Sequence, residues 1–371
     1  MNFSLNDEQR LLSESASRFV RDRYSLEARR TLIASNTGFD EDNWRQMAEM
    51  GWLSLSIPES SGGLGGSTCD LAILMLELGR GCYLEPFIST AVLGAGLLED
   101  SPLGAELLPQ IVEGTLRLAF AHSESGVDFD LYVKPQVQAI EERGNIRISG
   151  KKYVVCGAPS AHAILVTAAS PDGGTALYLV DAEAPGLTID SYSLIDGTRA
   201  ADIVLENAPA REALPSAVAR TSISRAIDRA RIAMFAEAVG SMEASLEICS
   251  DYVKERKQFG QPIGKFQALQ HLMAEMFVEA QAARSALYQA IAGFDRVEPA
   301  RTRELASAAI VVGEAGRIVT RHGVQLHGGY GITDEFWISH HYKRQMVLER
   351  SLGDMDFNLR TLIEASWGKE V

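Results

Sequence analysis

Cysteine is scarce in this chain of 371 residues. The four cysteines, Cys69, Cys82, Cys156 and Cys249, stand far apart with no CxxC pair. Neither a zinc site nor a disulfide framework fits that spacing, and a reducing cytosol is the expected setting. Basic residues are also in deficit. Thirty-five Lys and Arg face 49 Asp and Glu, for a net charge of −14. This argues against an electrostatic nucleic-acid binder, but a phosphate ligand needs only a local cluster of cations. No apolar run is long enough to span a bilayer, and the start, MNFSLNDEQRLL, lacks a cationic stretch followed by an apolar core. The expectation is a cytoplasmic protein, neither membrane-spanning nor secreted. Internal repeats and low-complexity segments are absent too.

What is present reads as a globular chain. Hydrophobic content of 46% with 23% charged residues is ordinary for a soluble fold, and the length calls for two or three domains. Asn6 or Ser4 can cap a helix from Asp7, and Leu11, Leu12, Ala16, Phe19 and Val20 recur at helical spacing. Further helices fit Asp40–Met50, Asp70–Gly79, Pro86–Leu98 and Leu103–Glu113. The glycine-rich stretch Pro58–Ser67 has no strand before it and no Gly-Lys-Ser/Thr, so it is not a P-loop.

The character changes near residue 117. Leu118–Ala121, Val133–Ile140, Ile146–Ser149, Tyr153–Cys156, Ala163–Ala168, Thr175–Val180 and Asp202–Leu205 are short and often β-branched, with turn residues between them. That spacing predicts a compact antiparallel β domain. From about Ile223 the helical period returns in four long segments, the pattern of a four-helix bundle. The expected fold is α+β: an N-terminal helical domain (1–116), a middle antiparallel β domain (117–217) and a C-terminal four-helix bundle (218–371).

Three places could carry chemistry. Arg231 sits four residues after Ile227 and three before Met234, on or beside an apolar stripe. It either pairs with Asp228 at i,i+3 or faces a polar ligand. The second is RKQFGQPIGKFQ, Arg256 to Gln267. A lone arginine near a turn is usually a solvated surface residue, but this combination is more specific. Arg256 can donate bidentate hydrogen bonds to a pyrophosphate, and Phe259 can pack on a purine. Pro262 pre-sets a turn, and Gly260 tolerates unusual backbone angles. The third is QLHGGYG, Gln325 to Gly331, where Gly328 and Gly329 can cap a helix or let backbone amides approach a phosphate.

Together these segments closely resemble the FAD-binding signature of acyl-CoA dehydrogenases, and the helix–strand–helix order extends the resemblance over nearly the whole chain. The resemblance implies an FAD site between the middle and C-terminal domains, partly across a subunit interface. It implies that Arg256, Gln258, Phe259, Phe266 and Gln267 contact the FAD of a neighbouring subunit, and that Gln325, Leu326, Gly328 and Gly329 form the phosphate element. FAHSESG (Phe120–Gly126) resembles the family's Tyr-x-x-Thr-Glu-Pro strand. Phe120 and Ser123 then join the cofactor residues, unless Ser123 is an ordinary loop serine. GKKYVVCG (Gly150–Gly157) resembles the next flavin-facing strand, with Val154 and Cys156 in place of tryptophan and threonine. Asp228 and Arg231 match an element lining the acyl-CoA site.

The reaction implied removes two hydrogens across the Cα–Cβ bond of a thioester. A carboxylate takes the Cα proton and the flavin takes the Cβ hydride. Both positions where the family carries that carboxylate are apolar here: Leu352, twenty-one residues after Gly331, and Ala230. Asp354 is the best displaced candidate, although a loop aspartate more often caps the following helix. His327, His340 and His341 read as structural or surface residues.

The pattern resembles the small, base-lacking subunits of bacterial heteromeric acyl-CoA dehydrogenases, such as the pimeloyl-CoA dehydrogenase small subunit, whose larger homologous partner supplies the base. Electron-transfer flavoprotein is the acceptor implied. A self-sufficient homo-oligomer using Asp354, a non-catalytic structural subunit and a flavin monooxygenase on this fold remain as alternatives. No metal is expected.

Overall fold

The structure, a computed structural model, describes residues 5–125, 133–351 and 353–368. Ser4, Gly126 and Leu352 lie outside the described residues. The described chain has α1 (Asp7–Arg23), α2 (Leu26–Ala34), α3 (Glu41–Glu49), α4 (Thr68–Arg80), α5 (Ala95–Leu98, after a π-helical stretch Ile88–Gly94) and α6 (Gly104–Val112). Seven strands follow: β1 (Leu118–Ala121), β2 (Gln138–Glu142), β3 (Asn145–Cys156), β4 (Ala163–Ala169), β5 (Thr175–Asp181), β6 (Leu187–Ser193) and β7 (Arg199–Leu214). Then come α7 (Ser216–Glu255), the two-residue strands β8 (Lys257–Gln258) and β9 (Gln261–Pro262), α8 (Gln267–Gly293), α9 (Ala300–His327), α10 (Trp337–Leu348) and α11 (Met355–Trp367). None of the helices among the described residues is long and apolar enough to cross a membrane.

The chain forms two compact units. One comprises residues 1–31, 68–83 and 231–371, the other residues 32–67 and 84–230. In the first, α8, α10 and α11 pack on α9, and α1 lies on α4; α10 is tied to the later part of α7 by Gln345 Nε2, which donates to the Ala238 carbonyl at 2.7 Å. Helix α1 starts where its residues dictate. Asn6 accepts from the Gln9 amide at 2.8 Å, and Gln9 Oε1 accepts from the Asn6 amide at 3.2 Å, a reciprocal cap. Helices α4 and α7 cross with backbones in close approach. A Cβ on Gly79 would lie 2.2 Å from the Glu237 carbonyl oxygen, and one on Gly240 would lie 1.9 Å from that of Leu76. Only glycine fits at either position.

In the second unit the sheet closes on itself: β4–β2–β3–β7–β5 returns to β4, with β1 beside β4 and β6 beside β7. Its interior is filled by Ile148, Ile164, Val166, Val180 and Ile203. The expectation of an antiparallel sheet is corrected at one side. β1 runs parallel to β4 over Leu118↔Ala163 to Ala121↔Val166, and β2 meets β4 in parallel at Gln138↔Ala169. The remaining pairings are antiparallel. The two segments expected at Ile146–Ser149 and Tyr153–Cys156 are one strand, β3. Its lysines and Gly150 break the apolar run without ending the ladder, at the cost of two bulges against β7.

Candidate functional site

In the first unit, RKQFGQP is a tight hairpin. β8 pairs with β9 through Lys257↔Pro262 and Gln258↔Gln261. The two turn residues, Phe259 (φ +52°) and Gly260 (φ +80°), are both left-handed, the signature of a primed two-residue turn. Pro262 therefore does not set the turn: it stands in β9 and leads into the 3-10 turn Ile263–Lys265. Phe259 projects from the tip with 91% of its surface exposed, edge-on to Phe266 at 6.1 Å.

The base of this hairpin meets the end of α9. Arg256, Gln258, Gln325, Leu326, Gly328 and Gly329 line one cavity of about 520 Å³, with Tyr252, His327 and Tyr330. Added Cβ atoms on Gly328 and Gly329 would meet nothing within 4 Å, so bare backbone faces open space. A cation, two side-chain amides and accessible peptide groups around such a volume fit a phosphate-bearing ligand. The Arg256 side chain makes no hydrogen bond or ion pair among the described residues. Phe259, Phe266 and Gln267 do not line this cavity, and Gln267 is exposed at the start of α8.

His327, expected to be a structural or a surface residue, is buried. Its Nδ1 donates to the Gly323 carbonyl at 2.9 Å, and its ring stacks on Tyr252 at 4.1 Å. Burial holds the imidazole below its ordinary value, against the pull of that carbonyl. It is neutral at pH 7, with Nε2 an acceptor. His340 and His341 are buried as well. His341 Nδ1 lies 2.9 Å from Ser241 Oγ and 3.1 Å from Cys82 Sγ, and burial pushes it down to about 3.

The expected acyl site also has a clear geometry. Arg231 donates to Asn358 Oδ1 on α11. Asn358 is buried, and its Nδ2 donates to the carbonyls of Gly353 (3.0 Å) and Asp354 (2.7 Å). Arg231, Gly353 and Asn358 border a cavity of only about 30 Å³, room for one water. Ala230 is fully buried. The Asp354 carboxylate caps α11, accepting from the Phe357 amide at 2.9 Å. Asn358 could have been suspected from sequence, as a polar residue on the same helical face as Met355, Leu362 and Ala365. Asp228 is buried on α7.

In the second unit, Phe120 stacks on His122 at 5.8 Å and is itself buried. Ser123 offers its carbonyl to the Tyr153 amide at 3.0 Å. Beside them stands a polar knot that sequence reading missed. The Lys152 ammonium, with no exposed surface, donates to Glu124 Oε1 (2.7 Å), Thr167 Oγ1 (2.9 Å) and the His122 carbonyl (3.0 Å). Glu124 also accepts the amides of Gln136 (2.6 Å) and Val137 (3.1 Å). Burial pushes the Glu124 carboxyl up, but these donors prevail and hold it below its ordinary value. Burial pushes Lys152 down to about 8, so it stays charged at pH 7. The signal was available: Ile148 and Lys152 share a face of β3, and a lysine on a core face demands partners.

Comparison with known proteins agrees with this geometry. Residues 6–100 match the family "Acyl-CoA dehydrogenase, N-terminal domain" and residues 220–366 match "Acyl-CoA dehydrogenase, C-terminal domain". The chain is 30% identical to acyl-CoA dehydrogenase IpdE2 of Mycolicibacterium smegmatis, over 96% of this chain and 98% of that one. Among solved structures it superposes on a Tcur3481-Tcur3483 steroid ACAD variant with a TM-score of 0.88, 31% identity and 98% coverage of both chains. It matches the ChsE4-ChsE5 complex from Mycobacterium tuberculosis with a TM-score of 0.88, 25% identity and 97% coverage of both. By sequence and by structure, the chain belongs to the acyl-CoA dehydrogenase family of FAD-dependent oxidoreductases.

Proposed function

We propose that the chain takes part in α,β-dehydrogenation of an acyl-CoA thioester as one subunit of a heteromeric enzyme, and that a larger homologous partner supplies the base. The observation that carries this reading is a phosphate-fitting cavity in a chain that has Ala230 and Leu352 at the two base positions. Arg256, Gln258, Gln325, Gly328 and Gly329 surround open space. Ala230 offers only a buried methyl group, and Asp354 is engaged as a helix cap. The two similar structures named above are described by pairs of components, which is compatible with such an assembly.

In this reading Arg256 and the backbone at Gly328–Gly329 hold the diphosphate of FAD, with Gln258, Gln325 and Leu326 around it. Phe259, Phe266 and Gln267, outside the cavity lining, serve the same cofactor from the hairpin tip and the start of α8. Phe120 and Ser123 belong to the flavin side, and Asp228 and Arg231 to the acyl-CoA side. FAD, when bound, accepts the hydride from Cβ. The chain's own residues bind, orient and exclude water. Functionally the chain divides at 1–116, 117–217 and 218–371. Electron-transfer flavoprotein would be the electron acceptor of the assembly.

The test is co-expression with the homologous larger subunit, followed by mass determination, flavin content and an acyl-CoA panel. The expected result is a yellow heteromer that turns over an acyl-CoA, while this chain alone does not. A colourless assembly with no FAD uptake, or full turnover by the pure chain, overturns the reading.

A further inference from the structure

A second cavity lies in the first unit, among α1, α4, α7 and α8. Its volume is about 460 Å³, and it shares no lining residue with the cavity at Arg256. Protein interiors leave few voids larger than a water molecule, so a space of this size between helices has the dimensions of a small-molecule site. Ile73, Leu76, Leu287 and Ile291 supply apolar lining. Glu77, Arg80, Glu243 and Arg284 supply charged lining.

The charges have a net sign. Arg80 is ion-paired with Glu247 and stands 3.6 Å from Glu243 and 3.9 Å from Glu77. Arg284 donates to Glu243 Oε1 at 2.7 Å and to the Tyr288 hydroxyl at 3.2 Å. Three carboxylates thus stand against two guanidiniums. Burial pushes both arginines down, but the carboxylates prevail and hold them above the ordinary arginine value. Burial, and then the Asp70 carboxylate, push the thiol of Cys69 up, and Cys69 also lines the cavity. A negative field therefore reaches this space although two arginines border it.

Glu77 is the carboxylate left short of donors. Its side chain is only 19% exposed. Among the described residues it accepts one hydrogen bond, from Ser13 Oγ at 3.0 Å. Arg80 Nε, 3.9 Å from Glu77 Oε2, is beyond hydrogen-bond reach. A carboxylate has room for about four donors. Enclosing one with a single neutral donor is unfavourable unless another reaches it from the cavity. Water alone would meet Glu77 but leave the apolar lining wet.

We propose that this cavity is a second binding site, for a small amphipathic amine whose apolar body lies against Ile73, Leu76, Leu287 and Ile291 and whose ammonium donates to Glu77. The acidic excess turns away a carboxylate of the same shape. The inference stands apart from the cofactor reading, because the two cavities share no residue.

The experiment titrates the full chain in its purified assembly with octylammonium, octanol and octanoate by calorimetry, and follows the thermal midpoint in parallel. Octylammonium is expected to bind saturably, once per chain, and about tenfold more tightly than octanol or octanoate, the scale of one hydrogen bond to a charged group. Glu77→Gln keeps the shape and an acceptor for Ser13 but removes the charge, so octylammonium should fall to the level of octanol. Ala292→Leu adds bulk to the lining and should weaken octylammonium and octanol alike. The comparison of the three probes needs no variant, so it decides the matter whatever a substitution does to the fold. No saturable binding of octylammonium, as when a neighbouring subunit fills the cavity, overturns the inference. Octanoate binding as tightly as octylammonium overturns it too, and so does an unchanged octylammonium affinity in Glu77→Gln at an unchanged midpoint.

Discussion

Replacing Lys152 with methionine tests whether the buried knot is a structural keystone of the second unit. Methionine nearly conserves the volume, so little of the effect comes from a cavity. What is lost is the ammonium and its three hydrogen bonds, to Glu124, Thr167 and the His122 carbonyl. Thr167 can turn to its neighbour His122 Nδ1, 3.0 Å away. Glu124 cannot escape. Its side chain is almost wholly buried, and it keeps only the amides of Gln136 and Val137 against an unpaired negative charge. Removing one partner of a buried pair costs about 3–5 kcal/mol. For a unit of this size that is a fall in melting temperature of roughly 6–20 °C. Adding Glu124→Gln removes the stranded charge and should recover about 1–3 kcal/mol of the loss, a coupling that a double-mutant cycle in urea reads directly. If Lys152→Met costs under about 1 kcal/mol, or the two losses simply add, the pair is not acting as described.

Three further outcomes follow from other parts of the molecule. Burial pushes His122 down to about 4 and His341 to about 3, below the ordinary 6.5. Both are neutral in the fold at pH 7. Stability is therefore full above pH 6.5 and is lost as pH falls toward 4, by about 1.4 kcal/mol per pH unit for each histidine. Urea midpoints that stay level between pH 6.5 and 5 would contradict this. Gly240→Ala forces a methyl onto the Leu76 carbonyl at the α4–α7 crossing and should destabilise by about 1–3 kcal/mol, read as a lower melting temperature. Arg256→Ala should weaken FAD binding about ten- to hundredfold in fluorescence titration without changing the melting temperature of the FAD-free chain, because the side chain is exposed.

Much of this was legible in the sequence, and the gaps have physical reasons. β1 was bounded correctly because a purely apolar run is unambiguous. α1 was placed by its cap. β6 was missed because LTIDSYS is an edge strand with polar residues on its exposed positions, so its alternation looks like loop. β7 was read as Asp202–Leu205 and runs from Arg199 to Leu214. Its polar residues Glu206, Asn207, Arg211 and Glu212 hide a strand that pairs in turn with β3, β5 and β6. Of the expected cofactor residues, Arg256 and Gln258 reach one cavity as residues two apart on the first arm of the hairpin, Gln258 directly before the turn. The hairpin's handedness depends on a phenylalanine in a left-handed conformation, which no composition rule predicts. Lys152 was overlooked because its neighbour Lys151 is exposed and the pair reads as surface.

The same reasoning decides what Asp354 does. As the nearest acid to the apolar position Leu352, it is the candidate for a displaced base. Its carboxylate, however, accepts the Phe357 amide at 2.9 Å, and its backbone carbonyl accepts Asn358 Nδ2 at 2.7 Å. Asn358 in turn receives Arg231, so the cap, the loop and the cation form one connected unit. Glu349, which borders the same small cavity, stands 3.8 Å from Arg317. A base must reach a Cα proton at hydrogen-bond distance, and Asp354 could do so only by giving up its helix. The two roles separate cleanly on substitution. Asparagine caps a helix about as well as aspartate but takes no proton at neutral pH. Asp354→Asn should therefore leave the melting temperature unchanged and the acyl-CoA turnover of the assembled enzyme within about twofold, while Asp354→Ala should cost about 1 kcal/mol of stability. Turnover that falls a hundredfold or more in Asp354→Asn, at unchanged melting temperature, would make Asp354 the base after all, and the requirement for a base-supplying partner would go with it.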